Sequence, residues 1–141
     1  MESIHILLVE DNEGDIVLTV EAFEESNINT DISVVRDGKE ALEFLSREGI
    51  YQEVELPNLI LLDINLPILN GIEVLDWIKS DSELKKIPVI MLSTSSRQKD
   101  IDQAYAKHAN CFVTKPIDME NFLKVILKIE EFWLQLAKLA L

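Results

Sequence analysis

The sequence predicts an α/β fold, a doubly wound sheet of five parallel strands with helices on both faces. Three observations predict it. Short runs such as Leu59-Ile60-Leu61-Leu62 are apolar at every position, the mark of a strand buried on both faces. Four of these runs stop on polar residues: Glu10-Asp11, Asp63, Ser93-Thr94 and Lys115. Between the runs lie segments with apolar residues at helical spacing, so strand and helix alternate and the connections are right-handed crossovers.

Ile4-His5-Ile6-Leu7-Leu8-Val9 is the first strand, rich in branched residues. Asn12 is placed to cap the next helix, which carries Ile16, Val20 and Phe23 on one face. Asp31 to Val35 forms the second strand and Arg36-Asp37-Gly38 a turn; the helix from Asp37 to Ser46 is expected to bury Ala41, Leu42 and Leu45. A polar loop from Arg47 to Pro57 leads to the central strand. Asn70-Gly71 opens a helix with Ile72, Leu75 and Ile78 inward and Trp77 on its flank. Pro88 to Leu92 is the fourth strand, Gln98 to Lys107 a weaker helix, and Cys111 to Thr114 the fifth strand. Asp118 caps a last helix expected to run to about Ala140.

One domain spanning residues 1–141 is expected at this length, with no internal repeat or linker. A formal charge of −13 disfavours direct binding of DNA or an anionic membrane and favours metal cations or basic protein faces. The single cysteine, Cys111, excludes an internal disulfide, suits a reducing cytoplasm and reads as an inert core thiol. No signal peptide is expected, because Met1-Glu2-Ser3 leads straight into strand-like sequence. The apolar region from Phe122 to Leu141 is broken by five charged residues and is no membrane span.

In an open α/β sheet, ligands bind at the carboxyl ends of the strands where the order reverses. With the flavodoxin-like strand order 2-1-3-4-5, the first and third strands are neighbours, and Glu10, Asp11 and Asp63 converge. Three carboxylates at that separation repel unless a cation sits among them. Mg2+ fits, being a hard ion that takes oxygen ligands and retains waters. Lys115 adds a mobile positive charge and Ser93 a hydroxyl donor. Such a set meets the needs of phosphoryl transfer: cations neutralise the equatorial oxygens and a carboxylate attacks in line. Asp63, alone at its strand end, is the best nucleophile and would carry an aspartyl phosphate, with Glu10 and Asp11 holding metal. Taken singly, an acid after a strand is more often a helix cap. The joint arrangement is far rarer than its parts.

The motifs Val9-Glu10-Asp11, Leu62-Asp63-Ile64-Asn65-Leu66-Pro67 with Asn70-Gly71, Met91-Leu92-Ser93-Thr94 and Phe112-Val113-Thr114-Lys115-Pro116 together resemble a response-regulator receiver domain, the acceptor half of two-component signalling. The resemblance implies that Asp63 accepts phosphate from a histidine kinase. It implies Mg2+ ligation by Asp11, Asp63 and the backbone carbonyl of Asn65, with Glu10 acting through water. Ser93 and Lys115 would bind the phosphoryl group, and Phe112 would reorient together with Ser93. The opening from Ile4 to Asp15 and the tail Glu131-Phe132-Trp133-Leu134 are similar to stand-alone regulators that partner phytochrome kinases, so a phytochrome is an expected partner and no output domain is expected. Such a protein is a phosphoacceptor and not an enzyme, although it assists its own phosphorylation and dephosphorylation. His108 stands where many relatives have Gly, which implies a left-handed backbone there.

Three other readings remain. An aspartate-nucleophile phosphatase would need a general acid two residues after Asp63, where this chain has Asn65. A flavodoxin would cradle phosphate in its first loop, which here is the repelling Glu10-Asp11-Asn12-Glu13. A receiver that never turns over and serves as a scaffold is disfavoured by the complete acceptor set.

The last helix is longer than the sheet requires. Phe122, Ile126 and Ile129 form the stripe expected to face the sheet, while Leu123, Leu127 and Leu134 make one further apolar flank and Phe132 with Leu136 another. That arc is wider than one buried face needs. The expected use is a homodimer built on the last helix and strand through Leu123, Leu127, Phe132, Trp133 and Leu134; the alternative is a tail folded back on its own domain.

Overall fold

Continuous apolar runs become the interior of the sheet. In the computed structural model, which describes residues 3–140, the elements are β1 (Ile4–Val9), α1 (Glu13–Glu24), β2 (Thr30–Val35), α2 (Gly38–Leu45), β3 (Leu59–Leu62), α3 (Gly71–Lys79), β4 (Val89–Ser93), α4 (Gln98–Ala106), β5 (Cys111–Thr114) and α5 (Met119–Ile129). The five strands pair in parallel in the order β2-β1-β3-β4-β5, as expected. All four residues of β3 are buried, which only a central strand covered on both faces can achieve.

Alternate side chains go to opposite faces. Leu7, Val9, Ile60 and Leu62 pack with Phe44, Val74, Leu75, Ile78 and Ala104 from α2, α3 and α4. Ile6, Leu8, Leu59 and Leu61 pack with Ile16, Phe23, Phe122 and Ile126 from α1 and α5. Each fully buried Leu or Ile stabilises the fold by about 2 kcal/mol. The helices start where short polar side chains can satisfy their first amides: Asn12, Asp37, Asn70 and Asp118 each accept a backbone N–H three residues on. Asn70 and Glu73 form a reciprocal capping box.

Three expectations need correction. The inward face of α2 is Ala41, Phe44 and Leu45, with Leu42 only half-buried. In α3 it is Val74, Leu75 and Ile78, and Ile72 is half-buried. In α2 the buried residues stand at i, i+3 and i+4 from Ala41, and in α3 at i+3, i+4 and i+7 from buried Gly71. The last helix does not run to Ala140. Its α-helical part ends at Ile129, residues Glu130–Leu136 continue as a π-helix, and Ala137 is extended. The Ala137 N–H closes the final i→i+5 turn on the Phe132 carbonyl at 2.8 Å. Widening the turn shifts the downstream face, and Trp133 and Leu134 pack against the α1–α5 core. Buried Glu130 meanwhile accepts the Ser26 hydroxyl at 2.6 Å, pinning the segment to the end of α1.

His108 has φ 71°, the left-handed turn expected after α4. Gly71 lies against the backbone of the β3–α3 loop. Its N–H donates to the Ile64 carbonyl at 2.8 Å, and a Cβ there would stand 2.0 Å from the Asp63 carbonyl oxygen. Gly71→Ala must push β3 and α3 apart, so we expect it to lose about 3 kcal/mol, read as a lowered urea midpoint. An unchanged midpoint would show that the loop can yield.

Candidate functional site

The ladder continues one step beyond the strands and gathers their polar terminators. The Glu10 N–H donates to the Val35 carbonyl at 3.1 Å, Asp63 N–H to Val9 at 3.1 Å, and Lys115 N–H to Ser93 at 2.6 Å. The side chains of Glu10, Asp63, Ser93 and Lys115 are thereby buried at one carboxyl edge, while Asp11 is exposed.

Lys115 crosses the sheet end to meet the acids. Its Nζ lies 2.7 Å from Glu10 Oε2, 3.0 Å from Asp15 Oδ2 and 3.4 Å from Asp63 Oδ2. Burial alone would lower the lysine's proton affinity; the Glu10 hydrogen bond and the charges of Asp63 and Glu10 outweigh it and hold Lys115 above its ordinary value. Glu10 is pushed up to about 7, chiefly by burial and further by the Asp63 charge, against the pull of Lys115. One ammonium does not neutralise this group of carboxylates.

The donor set fits a divalent cation. Glu10, Asp11 and Asp63 each offer a carboxylate oxygen within 4.8 Å of the others. Asp63 Oδ1 is buried and has no hydrogen-bond partner among the described residues. A buried acceptor left unpartnered is costly, and a metal ion would satisfy it. Binding must then displace the Glu10 proton. Folded Glu10 holds that proton to about pH 7 and unfolded Glu10 only to about pH 4.5, so the native state binds more protons in between. Stability therefore falls as pH rises through this window. We expect the thermal midpoint in chelator to drop across it and a divalent ion to flatten the slope; a midpoint that rises would contradict the assignment.

The remaining residues take distinct places. The Ser93 Oγ accepts the Ser95 N–H at 3.2 Å, and Ser95 in turn bonds the Asp100 carboxylate at the start of α4. Asn65 is exposed on the loop after Asp63. In the same loop Ile68 has φ 71° and is exposed, an unusual conformation for a β-branched residue. Phe112 stands apart from the acids, half-buried among the α2–α4 side chains, and its N–H donates to the Tyr105 hydroxyl at 3.0 Å. Asp15 and Tyr105 had no role in the sequence reading. No local signal marks Asp15, because Asp11 lies ahead of the Asn12 cap and outside the helix that carries Asp15. Of the expected interface residues, Leu123, Trp133 and Leu134 pack against their own core, whereas Leu127 and Phe132 are exposed. Burial raises the Cys111 thiol, consistent with inertness.

A parallel five-stranded sheet with this acid–lysine rim defines a receiver, and the chain belongs to the response regulator receiver domain family, whose model matches residues 6–127. Within that family it is similar to Response regulator Rcp1 of Synechocystis sp., 43% identical over 130 residues that cover 92% of this chain and 88% of that protein. The solved structure of the phosphorylated cyanobacterial phytochrome response regulator RcpA superposes with a TM-score of 0.97 at 46% identity, covering 99% of this chain and all of that one. The Mn2+-bound form of Rcp1 superposes with a TM-score of 0.95 at 41% identity, covering 98% and 99%. The resemblance to phytochrome response regulators read from the sequence is borne out.

Proposed function

We propose that this protein is a stand-alone response regulator that accepts a phosphoryl group from a histidine kinase onto Asp63 and so switches a protein-interaction surface in phytochrome light signalling. The observation that carries this reading is the buried, half-partnered Asp63 carboxylate beside the Lys115 ammonium. An Asp63 oxygen forms a bond to phosphorus as the P–N bond to the donor imidazole breaks; the imidazole leaves with the electron pair and keeps one proton. Bound Mg2+, held by Asp11, Asp63 and the Asn65 carbonyl with Glu10 through water, would neutralise charge on the transferring oxygens. Lys115 supplies the second positive charge and the Ser93 hydroxyl a hydrogen bond. Drawing Ser93 inward frees Phe112 to reorient, shifting a two-state equilibrium along β4, α4 and β5.

The protein is a substrate of its kinase more than an enzyme, works in the cytoplasm and does not bind DNA directly. Among the described residues no helix is long and apolar enough to cross a membrane. Incubation with Mg2+ and acetyl phosphate followed by intact mass tests the acceptor chemistry. One added phosphate is expected; an unchanged mass would favour the scaffold reading. Transfer from a phosphorylated phytochrome kinase tests the pathway.

The same reading includes a homodimer on α5 and the β5 edge. A groove of about 710 Å³ runs there, floored by Cys111, Val113, Ile129 and Phe132 and flanked by Lys124 and Lys128. We expect sedimentation at micromolar concentration to give a dimer that Phe132→Glu dissociates; a monomer with and without a phosphoryl analogue would count against it.

A further inference from the structure

We propose that Asp15 is a positioning residue of the acceptor site, holding the Lys115 ammonium in the resting state and competing with the phosphoryl group for it. The inference rests on Asp63 being the acceptor. An ammonium has three N–H donors, and in this structure all three have carboxylate partners, Glu10, Asp15 and Asp63. The N–H that faces Asp63 passes to a phosphoryl oxygen once Asp63 carries the group, and the ammonium, drawn toward it, must loosen its hold on Glu10 or Asp15.

Burial decides which. Glu10 makes the shortest contact, is buried, and has its other oxygen under the Asn12 N–H at 3.4 Å, so it is held on two sides and shut off from bulk water. Asp15 retains 26% exposure of its side chain, and water can take over its hydrogen bond. The carboxylate is nonetheless aimed. The Asp15 N–H donates to Asn12 Oδ1 at 3.0 Å, and its carbonyl accepts the Thr19 hydroxyl at 2.7 Å, fixing the residue in the first turn of α1. Asp15 is therefore a built partner that can release, and its grip opposes the phosphorylated state.

The test is Asp15→Asn, which keeps shape and removes charge, with trifluoroberyllate as a tetrahedral phosphoryl stand-in at saturating Mg2+. Binding followed by 19F NMR is expected to tighten about fivefold, and the gain is expected to vanish in a Lys115→Met background, as a double-mutant cycle requires of a contact made through Lys115. Unchanged or weaker binding overturns the inference. So does an equal gain in both backgrounds, which is a long-range charge effect. A second readout needs no lysine variant. The Lys115 ammonium 15N signal should differ between wild type and Asp15→Asn at rest and coincide once trifluoroberyllate is bound. Signals that stay different would show that Asp15 never lets go. Wild type that neither binds trifluoroberyllate nor gains phosphate would instead remove the acceptor reading itself.

Discussion

Asp63→Asn is expected to fold as well as wild type and to gain no phosphate from acetyl phosphate and Mg2+. An amide nitrogen or oxygen does not attack phosphorus at a useful rate, and among the described residues no other carboxylate shares the position of Asp63, buried and in reach of Lys115 at 3.4 Å with a free oxygen. The effect on phosphorylation should be a loss of at least about 10³-fold. Stability should move the other way. Removing one negative charge relieves the repulsion that helps raise Glu10, so the unfolding midpoint in chelator should stay level or rise. Phosphate appearing in Asp63→Asn at the wild-type rate would move the acceptor to another residue.

Lys115→Met should be the most destabilising conservative change in the site. The side chain is buried, and its loss strands Glu10 and Asp63 without their cation. Breaking such a pair costs about 3 kcal/mol because the remaining charges are uncompensated. That cost depends on pH with a definite sign. Glu10 already holds its proton up to about pH 7, and without Lys115 it holds it higher still, so acidification neutralises the stranded acid. Urea unfolding should show a large deficit at neutral pH that shrinks in acid, and added divalent ion should recover part of it. A deficit constant with pH would mean that lost packing, not stranded charge, is the cause. Phosphorylation should fall too, since only the metal would be left to meet the phosphoryl oxygens.

The fold and most of the site could be read from the chain because both reside in local patterns. Buried strands announce themselves as unbroken apolar runs, and Glu10, Asp63, Ser93 and Lys115 each sit where such a run stops. Cap residues were equally legible, being short acceptors ahead of apolar periodicity. What escaped was non-local. Nothing near Asp15 in sequence reveals an ammonium 100 residues away. Neither did composition reveal the end of the last helix. Residues 130–140 hold no Gly or Pro, and the change to i→i+5 bonding comes from tertiary contacts of Glu130, Trp133 and Leu134. The choice of Val74 over Ile72, and of Phe44 over Leu42, likewise depended on the angle at which a helix meets the sheet.

The link between Glu10 and Lys115 spans 105 residues and joins the first strand to the last. During synthesis, a chain still emerging from the ribosome presents Asp63 long before it can present an amine to meet it. On the proposed acceptor chemistry, competence to take up phosphate would therefore arrive only once the residue after the fifth strand has been translated.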